Sequence, residues 1–104
     1  MASHGGYLAF ILEQLSELEG VTYRPMMGEY LLYCRGRLFG GIYDDRLFIK
    51  PVAAARERLP HALLEAPYPG AKEMLAVEDL EDRTALAALV EAMLPQLPPP
   101  KNKK

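Results

Sequence analysis

The sequence is poor in the residues that enzymes and metal sites use. Its 104 residues contain one cysteine, two histidines and two serines. His4 lies near the amino terminus and His61 lies beside a proline, so the Cys and His spacing of a zinc site cannot be assembled. Neither Ser3 nor Ser16 lies on the strand-to-helix elbow that a hydrolase uses. We therefore predict no catalytic residue, no metal site and no cofactor, and we expect a protein that is not an enzyme.

The low cysteine content also bears on where in the cell the protein is located. The single cysteine, Cys34, cannot form an internal disulfide, which fits a cytoplasmic protein. We interpret it as a small buried apolar residue, because no adjacent feature would lower the pKa of its thiol. No apolar run approaches the roughly 20 residues of a membrane helix, and the amino terminus lacks the pattern of a signal peptide. The sequence predicts a cytoplasmic protein that does not contact the membrane.

Positive charge is concentrated in the centre of an acidic chain. Residues 1–23 hold three acidic and no basic residues (−3), residues 24–58 hold seven basic and four acidic ones (+3), and residues 65–91 hold two basic and seven acidic ones (−5). A protein that grips phosphates broadly shows a basic face. An ordinary solvated surface is the favoured interpretation, and the acidic remainder disfavours nucleic-acid binding by the basic centre.

Apolar spacing and turn signals predict an α+β fold. We predict helices at residues 7–18 and 53–59, strands at 29–34, 38–43, 46–50 and 73–78, and a last helix capped by Asp79 or Asp82. Residues 21–27 form at most an edge strand, because Pro25 removes a backbone donor. This order predicts a two-layer sandwich, with an antiparallel meander sheet covered by an amino-terminal and a carboxy-terminal helix. We expect one domain over residues 1–97 and a flexible Pro/Lys-rich tail over 98–104.

Glycines and turn signals mark the meander. The segments 35–37 and 44–45 predict its two hairpin turns. Gly40 and Gly41, in the middle strand, predict a bulge or a close approach of another element to the backbone. We favour a helix packed tightly on the sheet; the alternative is a docked ligand or partner, with some of the tyrosines lining the pocket.

The string at residues 26–51, MMGEYLLYCRGRLFGGIYDDRLFIKP, resembles the amino-terminal domain of the TfoX/Sxy family. The likeness continues through residues 66–72 and 74–75. It implies an α+β sandwich, an association with the regulation of natural competence genes in bacteria, and no catalytic residue set. The chain ends in prolines and lysines, so we expect it to stand alone, without the second, helical domain of full-length regulators. The motif positions, which we interpret as structural, are Gly28, Gly36, Gly40, Gly41 and Pro51.

We expect a small regulatory or protein-interaction domain whose protein partner is unidentified. The candidate interaction surface is the basic sheet region, with Arg24, Arg35, Arg37, Arg46 and Lys50. Because strand side chains alternate, Arg46 and Lys50 share a face, whereas the turn residues Arg35 and Arg37 lie at an edge. An unprotected edge strand also favours a homodimer. The alternatives are a nucleic-acid-binding module that uses the same basic region and a small-ligand binder.

Overall fold

Six strands and three α-helices follow one another in the described part of the chain. In a computed structural model, which describes residues 5–78 and 80–99, they are α1 (Gly5–Gln14), β1 (Val21–Met26), β2 (Glu29–Cys34), β3 (Arg37–Tyr43), β4 (Arg46–Ile49), α2 (Ala53–Arg58), β5 (Leu64–Glu65), β6 (Met74–Val77) and α3 (Arg83–Met93), with a short 3₁₀ helix at Leu94–Gln96. The predictions for residues 1–4, for a cap at Asp79 and for the tail at 100–104 lie outside the described residues.

Three two-residue turns connect the first four strands. Both residues of each turn have positive φ: 54° and 86° at residues 27–28, 53° and 83° at 35–36, and 54° and 56° at 44–45. Left-handed residues at both positions give the turn whose twist matches that of the flanking strands. The two predicted turns are confirmed. The turn at residues 27–28 is additional, and it extends the meander to a fourth strand.

The sheet has six strands, more than the sequence predicted. Their order is β1-β2-β3-β4-β6-β5, and all neighbours are antiparallel. β1 pairs with β2 over all six of its residues, so it is a complete edge strand. β5 was not predicted, because two residues in a proline-rich crossing carry no periodicity. The α+β class and the antiparallel sheet are confirmed.

The main core lies on one side of the sheet. Buried residues of all three helices, such as Ile11, Ala55 and Val90, belong to one cluster with alternate strand residues such as Leu32 and Leu47. On the other side, a second and smaller cluster contains Tyr43, Phe48 and Ala76 from the strands. The two sides of the sheet therefore differ, and the second side positions the candidate site.

The helix ends depart slightly from prediction. α1 begins at Gly5, before the expected start at residue 7, and ends at Gln14, before the expected end at residue 18, although Leu15 and Leu18 remain in the core. The amide of Leu18 donates to the carbonyl of Leu15, so the helix gives way to tighter turns. At α3 the Asp82 carboxylate accepts a hydrogen bond from the Ala85 amide at 3.0 Å, as predicted for a cap.

Gly40 and Gly41 pack against the sheet's own atoms. The β2–β3 register shifts between Leu32 and Tyr33, so the predicted bulge is present. A Cβ at Gly40 would lie 2.1 Å from the carbonyl oxygen of Phe48 on β4, and one at Gly41 would lie 2.7 Å from the Tyr43 ring. The favoured interpretation, a helix packed tightly here, was wrong, because a strand carbonyl and an aromatic ring occupy this space.

Candidate functional site

The side of the sheet that carries the smaller cluster has a continuous set of side chains, which we call the outer face. Residues that pair across antiparallel strands project to the same side. Leu31 pairs with Arg24 on β1 and with Gly41 on β3, Gly41 pairs with Phe48, and Phe48 pairs with Ala76. The outer face therefore runs from the edge strand β1 across the meander to β6.

Two neighbouring grooves lie along the outer face. The first groove, of about 630 Å³, has an apolar floor and two basic side chains. Its lining is Arg24, Leu31, Tyr33, Gly36, Leu38, Lys50, Pro98 and Pro99. The second groove, of about 540 Å³, shares Lys50 and Pro98 with the first and also holds Lys72. Pro98 and Pro99, predicted as the start of the tail, thus line the first groove.

Aromatic side chains line part of the second groove. The Tyr43 ring lies 5.7 Å from the Tyr68 ring and 6.1 Å from the Phe48 ring, measured between centroids. Tyr43 is buried, and its burial raises the pKa of its hydroxyl above the ordinary value of 10.0. Tyr68 is 48% exposed, so it presents an aromatic surface to solvent. This part of the face suits apolar contact more than proton transfer.

Two of the five predicted basic residues form ion pairs with carboxylates. The Arg35 guanidinium donates to both oxygens of Glu91, at 3.1 and 2.7 Å. Arg46 donates to both oxygens of Glu65, at 3.0 and 2.9 Å, and its guanidinium carbon lies 4.9 Å from the centre of the Phe48 ring. These hydrogen bonds hold the pKa of each carboxyl below its usual value.

A third basic residue, Arg37, donates hydrogen bonds to backbone carbonyls that follow the last helix. Its Nη1 donates to the carbonyl oxygens of Leu97 at 3.0 Å and Leu94 at 3.4 Å. These carbonyls lie in the 3₁₀ segment that follows α3, where no further helical turn supplies donors. Arg37 therefore fixes the carboxy-terminal segment against the start of β3.

Arg24 and Lys50 are used differently. Within residues 5–78 and 80–99, neither side chain makes a hydrogen bond or an ion pair, and both line the first groove. Of the predicted surface, the structure thus brings Arg24 and Lys50 together in one groove. Arg46 shares the outer face but is held by Glu65, whereas Arg35 and Arg37 contact the end of α3.

Sequence reasoning named Tyr33 only as one of six tyrosines that could line a pocket, and it did not select Leu38 or Lys72. Tyr33 and Leu38 lie on the floor of the first groove, and Lys72 lies in the second. Strand alternation from Arg24 and Lys50 would have found Tyr33, but Leu38 also required the position of the bulge. No signal pointed to Lys72, since it lies in an irregular segment.

The structure also places the single cysteine and the residue types that bind metal ions. Across residues 5–78 and 80–99, no three His, Cys, Asp or Glu side chains converge as they would around a metal ion. Cys34 is buried as predicted, and its thiol donates to the Glu19 carbonyl at 3.3 Å. Burial raises the pKa of this thiol, which keeps it in the unreactive neutral form.

Comparisons with known proteins identify the family. No helix in the described parts of the chain has the length and apolar character needed to cross a membrane. A protein from Spirochaeta aurantia, described as an uncharacterized 12.7 kDa protein in the trpE 5′ region, is 33% identical over 105 residues, covering all of this chain and 91% of that protein. No solved structure matches the chain significantly. The TfoX N-terminal domain model matches residues 13–94, which include every strand of the sheet, and the chain therefore belongs to the TfoX N-terminal domain family.

Proposed function

We propose that this chain is a small, non-enzymatic regulatory domain of the cytoplasm that acts by binding a protein partner. Its ligand is an extended segment of the partner that carries carboxylates and apolar side chains, and it binds in the first groove. Membership of the family of competence-regulator amino-terminal domains supports a regulatory role. The carrying observation is that Arg24 and Lys50 line an apolar groove with no ion pair to another described residue.

The chemistry of the groove favours a ligand of this kind. Leu31, Tyr33 and Leu38 are half-buried, so a ligand that covers them removes the remaining apolar surface from water. A carboxylate brought beside Arg24 or Lys50 by the same ligand meets a cation that has no ion-pair partner to displace among residues 5–78 and 80–99. Charge complementarity of this kind favours acidic over basic ligands.

The affinity expected from these contacts is modest. Ion pairs that stay exposed contribute about 0–1 kcal/mol each, and a half-buried tyrosine and two leucines add part of the roughly 2 kcal/mol each that full burial brings. After the cost of association is subtracted, dissociation constants in the micromolar range are expected for a short peptide. Such an affinity suits reversible regulation.

A direct binding measurement tests this proposal. A fluorescein-labelled peptide of alternating Glu and Leu is titrated with the protein, and its anisotropy is followed at two salt concentrations. We expect saturable binding that weakens with salt, and a dissociation constant at least tenfold higher for the double variant Arg24→Ala, Lys50→Ala. The charge-matched control is Arg56→Ala, Arg58→Ala on α2, outside both grooves, which we expect to bind as the native chain does.

The comparison ligands make the result decisive. A Lys-Leu peptide of the same length should not bind, because it brings cations to cations. The proposal fails if both double variants bind alike, or if the Lys-Leu peptide binds as well as the acidic one. It also fails if short duplex DNA binds more tightly than the acidic peptide with a steep salt dependence, which would favour a nucleic-acid-binding module.

A further inference from the structure

The outer edge of β1 has backbone groups that face away from the sheet. Met26 pairs with Glu29 across a two-residue turn, so these two residues exchange hydrogen bonds. Just before the strand, the Gly20 carbonyl accepts a hydrogen bond from the Arg35 amide at 2.8 Å. The backbone N–H and C=O groups of the even-numbered residues of β1 therefore face β2. The backbone groups of Val21, Tyr23 and Pro25 therefore point away from the sheet. Pro25 offers only its carbonyl there, because proline has no amide hydrogen.

This edge lacks most devices that protect a sheet from further pairing. β1 has six residues, its register with β2 is regular, and its four central residues are exposed. Tyr23 is 47% exposed, and Met27, just beyond the strand, is 96% exposed. The opposite edge strand, β5, has two residues. Long edge strands are templates for pairing, and β1 is the longer of the two.

We propose that β1 pairs antiparallel with β1 of a second copy of this chain, joining the two six-stranded sheets into one. The twofold axis passes between the two Thr22 residues. Val21 of each copy exchanges backbone hydrogen bonds with Tyr23 of the other, using the outward-facing groups. The Val21 side chain then lies beside a Tyr23 ring and Thr22 lies opposite Thr22, and both are favourable cross-strand pairs.

Other registers are less favourable for identifiable reasons. Because the outward backbone groups belong to odd-numbered residues, one strand can slide along the other only in steps of two residues. Each step moves the twofold axis by one residue along β1. Moving one way places Tyr23 opposite Tyr23 but sets Val21 against Pro25, which has no amide to donate. Moving again sets Arg24 directly opposite Arg24, which is destabilising. Moving the other way requires the backbone of Glu19, whose carbonyl accepts from the Cys34 thiol inside the protein.

Charge favours the proposed register. It sets Arg24 opposite Gly20 of the second copy, next to that copy's Glu19. The segment before β1 is acidic, with three acidic and no basic residues up to position 23. An antiparallel pairing brings this acidic segment towards the start of the basic region of the other copy. The two copies therefore complement each other in charge at both ends of the shared strands.

The contact is small, which sets the expected strength of the dimer. Stable interfaces bury about 1,600 Å² in total, and the pairing of one short strand with its copy buries less, on the order of 1,000 Å² or below. We therefore expect a dimer with a dissociation constant in the micromolar range. In the joined sheet the two outer faces are continuous, and the first grooves lie on either side of the seam, each near its own Arg24. The dimer does not depend on the acidic ligand.

Sedimentation equilibrium of the full chain tests the dimer. We expect the mass to rise from 11.6 kDa towards twice that value between about 1 and 500 µM, a range that brackets a micromolar constant. Thr22→Lys places two cations opposite each other and should raise the dissociation constant at least tenfold. Its thermal melting temperature should match that of the native chain when both are measured well below the dissociation constant, where both are monomers. Thr84→Lys, on the exposed surface of α3, is the matched control and should dimerise as the native chain does. A mass of 11.6 kDa at every concentration, or dimerisation by Thr22→Lys equal to that of the control, overturns the proposal.

Cysteine cross-linking tests the register. Thr22→Cys should form an intermolecular disulfide under mild oxidation, because the two side chains face each other across the axis. Arg24→Cys puts an equally exposed thiol two residues away and should cross-link at least tenfold more slowly, since its opposite residue is Gly20. The native Cys34 is buried and serves as the background for both variants. Equal rates for the two variants, or faster cross-linking of Arg24→Cys, overturns the proposed pairing.

Discussion

Replacing Gly40 by alanine should destabilise the fold severely. The new Cβ would lie 2.1 Å from the Phe48 carbonyl oxygen and 3.0 Å from the Ile49 Cα, both backbone atoms of β4. A carbon and an oxygen in contact need about 3.3 Å, so β3 and β4 must separate by roughly 1 Å. Overpacking of this kind costs about 1–3 kcal/mol, and weakening one or two ladder hydrogen bonds adds about 1 kcal/mol each. We therefore expect a loss of about 2–5 kcal/mol in the free energy of unfolding.

Urea unfolding followed by far-ultraviolet circular dichroism measures this loss. A domain of this length has roughly 5–15 kcal/mol to lose, so Gly40→Ala should have a much lower midpoint or be unfolded in buffer. Gly70→Ala is the matched control, because Gly70 has φ of 88° with no atom within 4 Å of the added Cβ. Its cost comes from the left-handed backbone alone, about 1–2 kcal/mol. Equal losses in the two variants would refute the steric argument.

Three further experiments test other parts of the structure. Arg37→Ala should cost about 1–2 kcal/mol in urea unfolding, because the carbonyls of Leu94 and Leu97 lose a charged donor; a loss no greater than that of Arg24→Ala would contradict this role. Cys34 should react with a thiol reagent only as fast as the protein opens, since it is buried and its pKa is raised; rapid labelling in buffer would contradict burial. The folded protein keeps the Tyr43 proton where the unfolded chain loses it, so stability falls as pH rises above about 10. Tyr43→Phe should lose less stability over that range, and equal slopes in pH-dependent urea unfolding would contradict the assignment.

Local patterns were sufficient to predict most of the fold. Apolar spacing of three and four located α1 and α3, and short apolar runs between turn residues located β2, β3, β4 and β6. These elements were predictable because burial on one or two faces dictates their residue types. Two-residue turns were predictable at positions 35–36 and 44–45, where glycine and aspartate tolerate left-handed backbone.

The elements that were missed lack such a local signal. Met27 begins a left-handed turn although methionine rarely adopts that conformation, so the sequence did not indicate that β1 is a full hairpin strand. β5 consists of Leu64 and Glu65, too few residues to show alternation. The close approach to Gly40 was expected, but sequence alone could not say that the Phe48 carbonyl makes it.

The basic residues of the candidate surface could be predicted from the sequence, but which of them form ion pairs within the chain could not. Sequence reasoning selected all the basic residues of the meander, and it could not tell bound from available ones. Arg35 is paired with Glu91, 56 residues away, and Arg46 with Glu65, 19 residues away. Long-range partners of this kind appear only when the chain is folded. The distinction that isolates Arg24 and Lys50 is therefore a tertiary property.

The three tight turns also bear on how the chain reaches its fold. A two-residue loop closes at little entropic cost, so each hairpin of the meander can form from near neighbours in sequence. β6 must instead pair Val77 with Leu47, 30 residues earlier. During synthesis the meander is complete by residue 49, well before α3 exists, and its inner apolar side then needs protection from other chains. α1 precedes the meander and is synthesised first. We therefore expect this helix to cover the apolar side of the nascent sheet until the carboxy-terminal half has been synthesised.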